Sequence, residues 1–124
     1  MSTQPVKPET DAPEWPAAKP ADIDAATASG IIEARAISEE LTKAHGVPAV
    51  TVGHGIDPVT NGPVVRVDTA EGLIALAIPA VGEPYVIQRG GKRLLGLQAV
   101  RRPRAQVATV ARQFVGVLQA RHLV

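Results

Sequence analysis

Cysteine is absent from the 124 residues. That excludes a disulfide scaffold, a thiolate zinc site and a cysteine nucleophile, and it fits a reducing compartment. Rings are scarce: one Phe, one Tyr and one Trp. A core so poor in aromatics has to be filled by Val, Ile, Leu and Ala, which favours β-branched packing. No apolar run is long enough to span a bilayer, and the N-terminus lacks a signal-peptide h-region. The expectation is a soluble protein with no membrane insertion. Acids are missing from one whole end of the chain. Residues 85–124 carry eight bases and no acid, whereas residues 1–40 carry eight acids and three bases. The net charge of +1 hides this polarity, which suggests either contact with a charged neighbour or a polyanion or two ends that neutralise each other within one fold.

Groupings that carry chemistry are also lacking. Hydrolysis needs a nucleophile with a positioned base, paired carboxylates or a metal. Asp57, Asp68, Glu71 and Glu83 are isolated, each in or beside a turn, where acids commonly bond to backbone. His54 alternates with apolar residues, and no second His, Asp or Glu stands at ligand spacing. Gly53-His54-Gly55 is only GxG, and Asp57-Pro58 blocks an immediate helix start, so a dinucleotide loop is not expected. These residues point away from an enzyme. No catalytic set, metal, cofactor or small-molecule substrate is expected.

The residues that are present organise around Pro63 to Val100, which reads as short strands joined by tight turns. PVVRVDT, LIALAI, EPYVIQR and KRLLGLQAV are separated by Ala70-Glu71-Gly72, by Pro79 to Gly82, and by the hairpin signal Gly90-Gly91. Val65 and Val67 oppose Arg66 and Asp68. Ile74, Leu76 and Ile78 form a large side against Ala75 and Ala77, which suits a central strand. Val47 to Ile56 reads as a further strand at the front, with Asn61-Gly62 as the turn after it. Its glycines leave room for another backbone or helix to approach.

Two helices flank the strands. Asp22 to His45 repeats apolar residues at Ile23, Thr27, Ile31, Ala34, Ile37 and Leu41, with Asp22 as a cap and Gly46 as the stop. Glu33, Arg35, Glu39, Glu40 and Lys43 fall to the wet side, with Glu39 and Lys43 as an i,i+4 pair. Gly30 predicts a weak point near Ser29. Gln106 to His122 repeats Val107, Val110, Ala111, Phe114, Val117 or Leu118, and Arg121, with Pro103 suited to a first helical position. The fold class expected is α+β: a small antiparallel five-stranded β-barrel or meander over 47–100. A helix at 21–46 and one at 101–124 flank it, behind an extended Pro-rich arm at 1–20.

Each helix has one apolar stripe, so its partner is the sheet or another subunit. On the second reading the candidate interface is Trp15, Ile31, Leu41, Phe114 and Leu118, with Trp15 anchoring the arm in a groove. Candidate polyanion contacts are Arg89, Lys92, Arg93, Arg101, Arg102 and Arg104. Only Tyr85 could stack a base in this region, which weakens a single-strand nucleic-acid reading.

The segment Val64 to Leu97 resembles the small OB-like or SH3-like β-barrels of tailed-bacteriophage tail, baseplate and connector proteins. The residues that carry this are VxVDT at Val65–Thr69, Ile78-Pro79, VGEPYVIQRGG at Val81–Gly91 and LLGL at Leu94–Leu97. In those barrels a Gly-Asp-like turn leads to V-x-V, a GG or GN hairpin and a strand closing in Leu-Gly. Here the turn is Gly82-Glu83, and Pro84-Tyr85 departs from the pattern. A fainter likeness links 46–57 and Val64–Asp68 to the short αββ module that precedes some trypsin-like proteases. The phage resemblance implies a non-enzymatic structural assembly protein, a virion component of a tail, baseplate or head-tail connector. It would form a homo-oligomer with other structural subunits, in the virion or the cytoplasm. An OB-type nucleic-acid module and a cytoplasmic adaptor domain are the alternatives.

Overall fold

The computed structural model describes residues 25–90 and 92–123. The proposed cap Asp22, the arm and Trp15 lie outside the described residues. Helix α1 spans Ala25–His45 and ends at Gly46, whose φ of +68° a side chain would resist. The Val47 N–H then reaches back to the Leu41 carbonyl at 3.1 Å and closes the helix end. A short 3-10 turn at Ala49–Thr51 follows, where the sequence pattern predicts strand. Thr51 explains the difference: its backbone N–H and its hydroxyl both donate to the Pro48 carbonyl, at 2.9 and 2.7 Å, which curls the chain.

Five strands come next: β1 Val52–Ile56, β2 Pro63–Thr69, β3 Gly72–Ala77, β4 Pro84–Arg89 and β5 Lys92–Val100. Each pairs antiparallel with its sequence neighbour, in the order β1-β2-β3-β4-β5. This is the meander arrangement, with the apolar strand β3 at its centre. The turn signals act as read: Asn61, Gly72, Gly82 and Gly90 all take positive φ. Helix α2 spans Val107–Ala120, so Pro103 sits in the preceding loop rather than at the first helical position. Instead, the Gln106 carbonyl accepts the first helical bond, from Val110 N–H at 3.0 Å.

The cross-strand register divides the sheet into two faces. Val65 stands opposite Leu76, Val67 opposite Ile74, and Leu76 opposite Ile87. These join Tyr85, Leu97 and Ala99 in one core with Ala34, Ile37 and Leu41 of α1 and Val110, Ala111, Phe114, Val115 and Leu118 of α2. Helix α1 lies on β1 and β2, α2 lies on β5, and the helices touch each other. The helix pair thus bridges the two ends of the strand order. Period-two alternation in the strands and helical spacing in α1 and α2 create this single core, because each element has one apolar side to hide.

Two details of α1 differ from the sequence expectation. Glu39 pairs with Arg35 at 3.3 Å rather than with Lys43, consistent with side chains that lean toward a helix N-terminus. The helix also runs unbroken through Gly30, which is buried against β2. A Cβ there would stand 2.5 Å from Pro63 Cγ and 3.1 Å from Pro63 Cβ. Alanine is the better helix former by about 1 kcal/mol, but the stiff proline ring cannot swing away, and overpacking costs about 1–3 kcal/mol. Gly30→Ala is therefore expected to lower the unfolding midpoint in a urea titration, against the propensity trend. A raised midpoint would show that α1 does not need this close approach.

Candidate interaction surface

Beneath the surface, three distant parts of the chain meet at one carboxylate. Glu33 is 6% exposed and Arg101 is 7% exposed, although their charge assigns both to solvent in the sequence. Glu33 Oε1 accepts from Arg101 Nε at 3.2 Å, and Glu33 Oε2 accepts from the Tyr85 hydroxyl. The remaining guanidinium donors go to the Pro79 carbonyl at 2.8 Å and to the Ser29 hydroxyl at 3.2 Å. The Arg101 backbone is fixed as well: its N–H donates to Glu83 O at 2.9 Å, and its carbonyl accepts from Gly82 N–H at 2.8 Å. The cluster fastens α1, the β3–β4 loop, β4 and the end of β5 together. Both carboxylate oxygens of Glu33 and all three guanidinium nitrogens of Arg101 thus have partners.

This arrangement corrects the expected polyanion set. Arg101 is turned inward and leaves it. Tyr85 is buried at 1% exposure, so its ring does not offer a stacking platform. The other five bases are exposed but fall into two groups. Arg89, Lys92 and Arg93 stand at the β4–β5 hairpin, and Arg102 and Arg104 stand in the loop after β5. Arg93, near the start of β5, and Arg102, just past its end, are nine residues apart along the chain, roughly 30 Å at ~3.3 Å per residue. Arg89 is held locally, since its guanidinium donates to the Glu71 carbonyl across the neighbouring turn.

The candidate interface is corrected too. Leu41, Phe114 and Leu118 are each 0% exposed, consumed by the helix–sheet core of their own chain. Ile31 is half-buried, and Trp15 lies outside the described residues. The large apolar side chains that do reach solvent are Ile32, Val50, Val59 and Val81. On the sheet face away from the helices, the glycines bed arginines. A Cβ on Gly53 would meet the Arg66 guanidinium at 2.7 Å, and one on Gly96 would meet Arg93 Nη2 at 3.0 Å. The close neighbour of Gly53 is thus a side chain rather than another backbone. Arg66 also pairs with Asp68 at 3.6 Å.

Among the described residues, no three His, Cys, Asp or Glu side chains are grouped to hold a metal. Asp57 behaves as a turn acid: its Oδ1 accepts from Val59 N–H at 2.9 Å. His54 has its pKa lowered, first by burial and then by Arg35, with Glu39 opposing and Arg66 adding to the shift. No helix among the described residues is long and apolar enough to cross a membrane. Comparison with protein-family models, with curated proteins and with solved structures finds no match.

Tyr85 gives the cluster a pH signature. Its pKa is raised, chiefly by burial, then by the hydrogen bond to Glu33 and by that carboxylate's charge, with Arg101 opposing. A raised folded-state pKa stabilises fully below the unfolded value, ~10 for tyrosine, and that contribution is lost as pH rises beyond it. Tyr85→Phe is expected to lose stability at pH 8, where the hydrogen bond is intact. The gap to wild type should narrow by pH 11, as read by urea unfolding at both. Since the chain has one tyrosine, ultraviolet titration checks the same point: tyrosinate should appear together with unfolding. Ionisation near pH 10 in the folded chain would contradict the burial argument.

Proposed function

We propose that this chain is a non-enzymatic structural assembly protein whose working surface is the basic end of the molecule. The observation that carries the reading is charge polarity. Of the eight bases in residues 85–124, all but Arg101 are exposed, and that segment of the sequence contains no acid. Exposed charge of one sign favours a neighbour of opposite sign and disfavours its own kind, which sets orientation more than affinity. Contacts run through this surface and the end strand β5 rather than through the helices, whose apolar sides are already occupied. The particle we assign it to is a phage or phage-like virion, as a tail, baseplate or connector component with a barrel-like sheet. That assignment is supported by the resemblance of Val64 to Leu97 alone.

The test is mass in solution. Sedimentation of the purified chain, over a range of concentration and salt, is expected to show a homo-oligomer that dissociates as salt screens the contacts. A monomer at every concentration, at low as well as high salt, overturns the reading.

A further inference from the structure

A groove runs between β5 and the second half of α2. Leu95, Leu97, Gly116, Val117 and Ala120 line it, and its volume is ≈ 320 Å³. That lies at the lower end of the roughly 300–1,000 Å³ typical of binding clefts. Glycine is a poor helix former, and Gly116 is not a positive-φ position. A Cβ on it would meet nothing within 4 Å. Packing of the chain itself therefore does not require glycine there.

We propose that the groove holds the Trp15 segment of the same chain, with the indole as the anchor. Three observations select this occupant. The first is charge: residues 1–24 carry five acids and two bases, while exposed Arg112 and Arg121 adjoin the lining residues Gln113 and Ala120 in the sequence. Second is composition, because Pro13-Glu14-Trp15-Pro16 sets an aromatic residue between prolines, and Pro-rich segments dock in apolar grooves at low entropic cost. The third is reach. Ser29 near the start of α1 bonds to Arg101, directly after β5. Trp15 precedes Ala25 by ten residues, about 31 Å in extended form. The groove begins three residues before Arg101, at Gln98, only about 10 Å back along the strand.

Trp15 is the one tryptophan, so its fluorescence reads the groove directly. The full-length chain is compared with a peptide of residues 1–24. Expected is an emission maximum to the blue of the peptide's, with weaker acrylamide quenching, at dilutions where sedimentation gives a monomer. Gly116→Leu, whose Cβ has open space, puts a side chain into the groove and should return both readings to the peptide's, with far-ultraviolet circular dichroism unchanged. Ala120→Glu, at an exposed site, should move them the same way by repelling the acidic segment. The proposal is overturned if wild-type emission equals the peptide's, or if neither variant changes it. It is also overturned if shielding appears only at concentrations where the mass exceeds a monomer, since the segment then lies on a second copy. The mass measurement separately reads the assembly proposal, so the two can fail independently.

Discussion

Glu33→Ala is expected to destabilise the fold by about 3–5 kcal/mol, the cost of removing one partner from a buried ion pair. Two groups are stranded by that single change. The Arg101 guanidinium loses the carboxylate at 3.2 Å while still held inside by Pro79 O and Ser29 Oγ. The Tyr85 hydroxyl loses its acceptor. Against a total stability of about 5–15 kcal/mol for a domain, the variant should unfold at much lower urea. Glu33→Gln keeps an acceptor for Tyr85 but leaves the guanidinium uncompensated, so it should fall between. The sharper comparison is a triple variant, Glu33→Leu with Tyr85→Phe and Arg101→Met, which removes every charge and hydroxyl of the pair together. Apolar replacement of buried ion pairs is often neutral, so the triple variant should recover much of what Glu33→Ala loses. If Glu33→Ala unfolds within about 0.5 kcal/mol of wild type, the carboxylate is not what fastens α1 to the end of β5.

The same cluster shows where sequence reasoning reaches its limit. Alternation of Val65 and Val67 with Arg66 and Asp68, the two-sided run at β3, and the glycine stops are local signals. They give the α+β class, the strand order and the sides of each strand. Glu33 has a local signal too: it lies at helical spacing between Gly30 and Ile37, within the buried stripe. Residue type masks that position, because an unpaired acid belongs in water. What reverses the preference is Arg101, 68 residues away, and Tyr85, 52 residues away. No periodicity links such distant positions. The interface residues fail for a related reason. A one-sided helix reveals that Leu41, Phe114 and Leu118 are covered, but not whether the cover is their own sheet or another subunit.

Phe114→Ala decides that last question by experiment. The ring is fully buried and meets both the sheet and α1 through one core. Its neighbours are mostly Val, Ile, Leu and Ala, whose short, stiff side chains collapse poorly into a phenyl-sized void. Truncation should therefore sit near the upper part of the range for Phe→Ala, about 3–5 kcal/mol. Phe114→Leu leaves a smaller cavity and should cost less. In guanidinium titrations the midpoint should drop with an unchanged slope, the mark of lost stability rather than an altered denatured state. A core ring acts in the monomer, so the loss should be the same at low and high protein concentration. An interface ring would instead leave the dilute chain's midpoint in place and weaken association, because stability conferred by a partner depends on its concentration. The burial of Phe114 within its own chain predicts the first outcome, and a midpoint that moves only at high concentration would return the helices to the assembly surface.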